Sequence, residues 1–285
     1  MFATILVAGL AMGAVYAMIG LSYNIMYSTS KVLSFTAGQL GMVGAVFGAW
    51  FISVLGWPMW IGFPMAMAAG VLLGWLTELI AVRPVLKAIE QHLYVLTTLA
   101  VALLVQTSAA IGWGTEPRPF PSILTMGTGL ADQKYWLPVI TCLLSWGVLE
   151  FFYRKTLWGR AFIAVSEDTE AARALGIPDA RIRVISYCLA GFVGALAGFM
   201  GGQLLLAFFA LGATLTFYGF VPIAIGGLGS NRGALVGGFA LGILQQVASY
   251  LVGGVFVGVV TFVVFITILV LVPQGLFGSA VARRV

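Results

Sequence analysis

The stretch FATILVAGLAMGAVYAMIGLSYNIMY, from Phe2 to Tyr27, contains no charged residue. A transmembrane helix needs about 20 consecutive apolar residues, so this segment is long enough to cross a bilayer. Because it lacks the positively charged start of a signal peptide, we expect a retained span rather than a cleaved leader. The stretch therefore predicts an integral membrane protein.

The rest of the chain repeats this pattern. Of its 285 residues, 61% are hydrophobic and 8% are charged, whereas soluble domains carry about 25% charged residues. Further apolar runs long enough to span are Gln39–Leu55, Trp60–Val82, Leu93–Gly112, Trp136–Tyr153, Val184–Leu211, Ala234–Val252 and Val255–Val272. Thr216–Leu228 is too short to cross about 30 Å as an ideal helix. We predict an all-α, polytopic bundle of about eight to nine spans, forming one transmembrane domain over residues 1–285.

The positions of lysine and arginine predict the orientation, because cytoplasmic loops carry an excess of both. The basic loops contain Lys31, Arg83 and Lys87, the cluster from Arg154 to Arg183, Arg232, and Arg283 with Arg284. The loop Thr115–Tyr135 carries no net charge and belongs outside. Nine crossings place every basic loop on one side. We therefore expect the N-terminus outside and the C-terminus in the cytoplasm.

The apolar runs contain few groups that could move protons or ions. Glu78 and Glu150 are their acidic residues, and both lie near the proposed cytoplasmic ends, where we expect interfacial or ion-paired side chains. Glu150 precedes Arg154 by four residues, the favourable helical order. The lone His92 is expected at the interface. Proton-coupled pumps need ionisable groups at mid-membrane, so an ion-coupled carrier is disfavoured.

Several other function classes are excluded or disfavoured. The chain has no G-x-x-x-x-G-K-[ST] loop for binding ATP phosphates. Its net charge of +5 comes without a basic run, which argues against nucleic acid as a partner. Cys142 and Cys188 lie far apart in apolar runs and are interpreted as small buried residues. We expect no catalytic residue, no metal ligand and no cofactor in this chain.

Glycines recur at every fourth position. The sets are Gly194, Gly198 and Gly202, and the pairs Gly9/Gly13, Gly70/Gly74, Gly238/Gly242 and Gly254/Gly258. Such spacing makes a flat helix face that lets backbones approach closely. The pattern favours packing inside one bundle, and a homodimer or heterodimer seam is the alternative.

Two interrupted segments mix aromatic, hydroxyl and glycine residues: Val32–Gly48 and Thr214–Gly238. Irregular backbone within a membrane is tolerable only where it is buried in protein or lines a cavity, so paired interruptions indicate a solute site. Ordinary glycine packing beside a loop is the alternative interpretation. The candidate pathway residues are Ser34, Thr36, Gln39, Phe217 and Tyr218.

The segment from Arg154 to Arg183 gathers ten charged residues into about a tenth of the chain. Within it, Ser166 is predicted to cap a helix of about ten residues, with Glu167 and Asp168 in its first turn. Gly176 and Pro178 are predicted to stop that helix. Its small apolar face consists of Ala171, Ala172 and Leu175. A short helix with both ends specified suits docking into a groove of a partner.

The sequence EAARALG, Glu170–Gly176, resembles the EAA-x-x-x-G coupling loop of bacterial ABC importer permeases, although the downstream Ile-x-Leu-Pro is absent. The chain as a whole resembles the H-type permease of branched-chain amino-acid ABC importers. The motifs that carry this resemblance are GAVYAMIGLSYNIMY (Gly13–Tyr27), RPV (Arg83–Val85), GRAFIAVSEDTEAARALGI (Gly159–Ile177), IGGLGSNRGALVGG (Ile225–Gly238) and VPQGLFG (Val272–Gly278).

This resemblance implies a permease of an ATP-driven importer in a bacterial inner membrane, working by alternating access. The implied partners are a second related permease (a copy or a relative), two ABC ATPases that hold ATP and Mg, a periplasmic binding protein and membrane lipid. Residues 154–183 would form the cytoplasmic coupling loop. Glu170, Ala171, Arg173 and Gly176 would couple the permease to the ATPase.

One stretch departs from the family pattern Asn-Phe-Ala-His-Gly-Glu, because Ala37 and Gln39 stand in place of the histidine and the carboxylate. Two solute classes therefore stay open: a branched-chain or related hydrophobic amino acid, or instead an aromatic or other organic acid, an amide or urea. A stand-alone channel for a small neutral solute is the rival class. It leaves the capped cytoplasmic helix without a role.

Overall fold

The computed structural model describes residues 2–86, 93–121, 132–272 and 275–277. In these ranges the chain is built of helices, and its one pairing of extended backbone is the single antiparallel bridge between Arg118 and Ala207. The helices are α1 Phe2–Ser30, α2 Ala37–Ala49, α3 Met59–Thr77, α4 Arg83–Val85, α5 Tyr94–Trp113, α6 Gln133–Lys155, α7 Leu157–Glu167, α8 Thr169–Ala174, α9 Asp179–Leu205, α10 Leu211–Gly226, α11 Asn231–Val252 and α12 Val257–Leu271.

Within the described ranges, eight helical segments are long and apolar enough to cross a membrane. They correspond to the eight runs predicted from the sequence, which confirms the all-α, polytopic bundle. Two of them end in π-helical turns, Trp50–Val54 after α2 and Glu78–Val82 after α3. The short predicted segment is α10, which has 16 residues and is about 24 Å long at 1.5 Å per residue.

The centre of the bundle is held by contacts between helix backbones at glycine. On α1, a Cβ atom at Gly13 would collide with the backbone of α11 at Gly238 and Phe239. On α9, Gly198 leaves no room for a Cβ atom beside the backbone of Gly41 in α2. The glycine pattern thus marks packing inside the chain at these helices, because only a missing side chain permits such approach.

The pair Gly254/Gly258 behaves differently. Gly258 on α12 has open space where a Cβ atom would stand, with no described heavy atom within 4 Å. Gly254 approaches only the Ser249 hydroxyl, at 3.9 Å. This part of the predicted pattern therefore does not pack within the described part of the chain.

The basic loops at Lys31, Arg83 and Arg232 lie at one end of the bundle with the cluster Arg154–Arg183. The Lys31 ammonium donates to the carbonyl of Ser166 at 2.6 Å, which joins the loop after α1 to the end of α7. Arg232, at the start of α11, reaches Glu150 near the end of α6 at 3.1 Å. The grouping agrees with the prediction that the basic loops share one side of the membrane. His92, Lys87, Arg283 and Arg284 lie outside the described residues.

The opposite end is closed by the loop after α5. Arg118 and Ala207 exchange two backbone hydrogen bonds, of 3.0 and 2.9 Å. Next to this bridge, the ring of Phe120 meets that of Phe199 on α9 edge to face, with centroids 5.0 Å apart. This end is thus held by backbone pairing and aromatic contact, and the basic end by ion pairs.

Candidate functional site

The charged segment between α6 and α9 folds into two short helices. Thr156 caps α7, because its hydroxyl oxygen accepts from the Gly159 N–H at 2.9 Å. Burial of Phe162 and Val165 then keeps α7 helical as far as Glu167. The prediction that Ser166 caps the next helix is therefore wrong. Ser166 lies in the last turn of α7, and its hydroxyl donates to the carbonyl of Ile163 at 2.8 Å.

Asp168 is the residue that caps α8. Its Oδ1 atom accepts from the N–H groups of Glu170 and Ala171, at 2.9 and 3.0 Å. A carboxylate at this position satisfies free backbone donors and suits the positive end of the helix dipole. α8 has six residues instead of the predicted ten or so. The shortening arises because Ser166 and Glu167 belong to α7 and Asp168 is the cap itself.

The end of α8 follows the prediction. Gly176 has φ +81°, a conformation that glycine adopts at low cost. Its N–H donates to the carbonyl of Arg173, and the N–H of Ile177 donates to that of Ala172, both at 3.0 Å. This is the Schellman arrangement of a helix C-terminus. Both ends of α8 are thus specified by local sequence.

α8 is attached to the protein through a small apolar contact. Ala172 is buried against Phe162, Val165 and Ile182. The predicted apolar face is only partly correct, because Ala171 is exposed and the Leu175 side chain is 82% exposed. An exposed leucine on a rigidly capped helix is available to a partner.

Arg173 fixes α8 to the start of α9. Its guanidinium donates to both carboxylate oxygens of Asp179, at 3.2 and 2.9 Å. This bidentate hydrogen bonding raises the pKa of Arg173 still further above neutrality. Of the other predicted coupling residues, Glu170 and Gly176 are exposed at the same surface. Glu170, Ala171 and Arg173 therefore lie on α8, and Gly176 stands two residues beyond its end.

The predicted pathway residues before and in α2 are buried. Ser34 and Thr36 share a hydrogen bond of 2.7 Å between their hydroxyl groups. Thr36 occupies the N-cap position of α2, but its side chain does not cap the helix. Gln39 lies in the first turn of α2 and is 2% exposed.

The two interrupted segments meet at the first turns of α2 and α10. A Cβ atom at Gly38 would collide with backbone atoms of Gly212 and Thr216, and one at Gly212 would collide with the Gln39 carboxamide. The Thr216 hydroxyl also lies 3.3 Å from the carbonyl oxygen of Phe35, to which it donates. Neither helix has a side-chain cap at this end. Two helix N-termini, with their partial positive charge, thus converge inside the bundle.

A cavity of about 260 Å³ adjoins this junction. Its lining residues are Tyr23, Phe35, Gln39, Leu99, Ala102, Leu103, Gln106, Ala213, Thr216, Phe217 and Phe220. Gln39 and Phe217 therefore share one cavity, whereas Ser34, Thr36 and Tyr218 are not among its lining residues. The Tyr218 ring packs on Tyr16 instead, with centroids 5.2 Å apart.

Gln39 has an unsatisfied polar atom at this cavity. Within the described ranges, its buried Oε1 atom has no hydrogen-bond partner. Buried polar atoms are satisfied in the great majority of cases, so an unpaired carbonyl oxygen requires an explanation. The oxygen is enclosed against Gly212, so a solute can reach it only when the contact between α2 and α10 opens.

Sequence reasoning missed two polar neighbours of Gln39. Gln106 interrupts the apolar run of α5 with an amide, a signal that was visible in the sequence. Thr216 accepts at its backbone carbonyl from the Tyr23 hydroxyl at 3.2 Å. That contact joins α1 to α10, and no pattern in the sequence predicts it.

The two carboxylates within the apolar runs, those of Glu78 and Glu150, are both ion-paired. Glu150 contacts Arg154 at 2.6 Å, which confirms the predicted pair, and it also contacts Arg232. Glu78 is fully buried and lies 2.9 Å from the Nε atom of Arg183. The prediction of a paired side chain is confirmed for both, but Glu78 is farther from solvent than an interfacial group.

Comparison with known proteins agrees with these features. The family model described as "Branched-chain amino acid transport system / permease component" matches residues 5–272. LivH of Escherichia coli (strain K12), a high-affinity branched-chain amino acid transport system permease protein, is 25% identical, over 97% of this chain and 96% of LivH. BraD of Pseudomonas aeruginosa, of the same description, is 24% identical over 98% and 97% of the two chains.

A solved structure supports the fold. A chain of PsaBC from Streptococcus pneumoniae in complex with Fab superposes with a TM-score of 0.53 at 14% identity, covering 95% of this chain and 91% of that one. The family match extends from the first span to the last described helix. The chain is therefore a multi-pass membrane permease and belongs to the branched-chain amino acid transport system permease family.

Proposed function

We propose that this chain imports branched-chain or related hydrophobic amino acids as one permease subunit of an ATP-driven importer. The relatives LivH and BraD are described as permeases for branched-chain amino acids. The largely apolar cavity beside Gln39 is of a kind that suits a small aliphatic side chain. The unpaired amide oxygen of Gln39, beside this cavity, suits the ammonium group of an amino acid once the junction of α2 and α10 opens.

The energy for import comes from other subunits. The chain has no phosphate-binding loop of the G-x-x-x-x-G-K-[ST] type. The described carboxylates of the spans, Glu78, Glu150 and Asp179, are all ion-paired toward the basic end. Separate ABC ATPases that bind ATP and Mg supply the work.

The observation that carries this proposal is the geometry of α8. This helix is capped at both ends. Of its apolar residues, Ala172 is the one that packs on the bundle, and Leu175 just after the helix is exposed to solvent. Such a helix moves as a unit when a partner pushes on it. We assign the coupling role to Glu170, Ala171, Arg173 and Gly176, within the cytoplasmic loop 154–183.

The solute pathway runs past the junction of α2 and α10. Gln39 and Phe217 line the cavity in the state seen here. Ser34, Thr36 and Tyr218 lie on the same two interrupted segments and become accessible when the first turns of these helices separate. Alternating access then consists of opening and closing this junction toward either side of the membrane.

The cavity side of the bundle is also where a second permease fits. Leu103 on α5 and Phe217 on α10 are partly exposed at the mouth of the cavity. We place a second permease, identical or related, on this side, two ATPases at α8 and a periplasmic binding protein at the opposite end. The assembly belongs in a bacterial inner membrane.

Reconstitution in vesicles with the ATPases and the binding protein tests the proposal. Wild-type complexes are expected to accumulate leucine, isoleucine or valine only when ATP is supplied. Accumulation by this chain alone, or transport of only amides, urea or organic acids, would contradict it.

Two variants test the coupling role of α8 in that system. Gly176→Pro cannot adopt φ +81°, and Glu170→Arg reverses the charge presented to the ATPase. Both are expected to uncouple ATP hydrolysis from uptake while the permease stays in the membrane. The matched control is Gly176→Asn, which tolerates positive φ. Normal uptake in both test variants would refute the assignment.

A further inference from the structure

A continuous chain of charged side chains runs from α8 into the bundle. Arg173 of α8 contacts Asp179 at 2.9 Å, and Asp179 contacts Arg183 one turn later on α9 at 3.8 Å. Arg183 in turn contacts Glu78, at the end of α3, at 2.9 Å. Four side chains thus join the proposed coupling helix to a helix that is far from it in sequence.

The chain passes from solvent to the interior. The Arg173 side chain is 66% exposed, Asp179 16%, Arg183 12% and Glu78 0%. An exposed ion pair contributes little to stability, but a buried carboxylate that loses its partner is strongly destabilised. Because Glu78 cannot remain buried and unpaired, Arg183 and Glu78 have to move together.

Holding α3 against α9 does not require these charges. Glycines already bring the two helices into backbone contact, since a Cβ atom at Gly70 would collide with Gly191 and one at Gly74 with the carbonyl of Tyr187. Apolar residues of similar size usually replace a buried ion pair without loss of stability. The ion pair is therefore not what brings the two helices together.

Glu78 stands at a place where α3 changes its helical form. It opens the π-helical turn Glu78–Val82, closed by a hydrogen bond from the Arg83 N–H to its carbonyl. π-helical turns interrupt the regular ladder and are frequent at functional sites. A pull on the Glu78 side chain acts on this irregular turn.

The Glu78 carboxylate also has a second arginine within reach. Its Oε2 atom makes no hydrogen bond to any described residue, and the Nε atom of Arg83 is 3.7 Å from it. Arg183 on α9 holds one oxygen, and Arg83 beyond the π turn is placed to take the other. The carboxylate thus contacts an arginine of α9 and an arginine on the far side of the π-helical turn.

We propose that Arg173, Asp179, Arg183 and Glu78 form a transmission line that carries the movement of α8 to the π-helical turn of α3. Glu78, Arg183 and Asp179 are positioning residues, because they act on the pathway through α3 and touch neither solute nor ATP. This inference rests on the proposed coupling role of α8. It extends that role from the surface to the interior of the bundle.

The test uses the complete importer in vesicles and measures ATP hydrolysed per solute molecule accumulated. The double variant Glu78→Met/Arg183→Met keeps the site filled and apolar, so it is expected to assemble. We expect its ratio of ATP to solute to rise by about tenfold, within the range of known coupling free energies. Arg232→Met, which breaks another ion pair between helices at the same end, is the matched control and should keep the wild-type ratio.

Asp179→Asn interrupts the line and keeps the size of the side chain, and its ratio should rise severalfold. A wild-type ratio in the double variant, or in Asp179→Asn if the double variant does not assemble, overturns the transmission line. If instead wild-type complexes fail to import on ATP, the proposed function itself fails. The two failures are therefore distinguishable.

Discussion

α2 and α12 differ in a way that separates burial from hydrophobicity. Among the eight described spans, α12 has the highest mean hydropathy and the segment containing α2 one of the lowest. Yet 72% of the α2 span is buried and only 11% of the α12 span. Lipid is as apolar as leucine, so hydrophobic residues do not drive a helix into the centre of a membrane protein.

Small residues distinguish the two helices instead. At Gly38, Gly41, Gly44 and Gly48 of α2, a Cβ atom would collide with a neighbouring segment, whereas at Gly258 of α12 it would meet open space. Backbones approach closely where side chains are missing, and van der Waals contact then holds the helices.

The largest effect is expected from Gly198→Leu, at the contact of α9 with α2. The new side chain would overlap the backbone of Gly41, so the helices would have to separate. We expect a loss of about 3 kcal/mol or more, seen as loss of monodisperse protein in detergent. Gly258→Leu makes the same change in α12 and should leave the yield unchanged. Equal yields of the two variants would show that glycine does not define the core.

Gln39→Leu tests the polar exception within α2. This substitution removes a buried oxygen that has no hydrogen-bond partner. The free-energy cost of keeping that oxygen away from water disappears with it, so the melting temperature of the permease should rise. Losing a hydrogen bond to a charged solute group should raise the KM for import by about tenfold. The ratio of ATP to solute should stay normal, which distinguishes this role from coupling. An unchanged KM would remove Gln39 from the pathway.

Asp168→Ala tests α8, which contacts water. Unlike α2, this helix is stabilised by capping instead of glycine packing. We expect a loss of about 1 kcal/mol in the local stability of α8, because two backbone N–H groups lose their acceptor. Hydrogen exchange of the Glu170 and Ala171 amides measures it directly. Ser166→Ala should leave these amides protected as before. Faster exchange in Ser166→Ala alone would reinstate the cap predicted from the sequence.

The smallest effect is expected from Gly258→Ala. Alanine forms helix better than glycine, and its methyl group enters open space here. The melting temperature should rise slightly, by an amount equivalent to about 0.5–1 kcal/mol. A decrease would mean that another chain or a tightly bound lipid occupies this face of α12.

The sequence predicted most of the fold. The eight spans were visible because each needs about 20 apolar residues, and the grouping of basic loops followed from charge alone. Hydropathy did not reveal which spans are buried, because α12 has the higher mean hydropathy and α2 is the more buried. The glycine spacing carried that information, except at Gly254 and Gly258, where the same pattern faces outward.

The candidate site was predicted less completely. The C-terminal end of α8 was correct, because Gly176 and Pro178 have strong local preferences. Its start was wrong, because burial of Phe162 and Val165 extends α7 through Ser166, a tertiary effect that a local pattern cannot reveal. The meeting of Gln39 with Gly212 depends on how two distant segments pack. The same holds for the contact of Arg183 with Glu78.

The close approach of Gly198 to Gly41 also bears on how such a permease changes its solute over evolutionary time. Because two main chains are in contact there, no side chain can be exchanged for a larger or smaller one. Substitutions at this seam therefore cannot adapt the permease to another solute. New preferences have to arise at positions such as Gln106 and Phe217, whose side chains face the cavity and can vary without disturbing the seam.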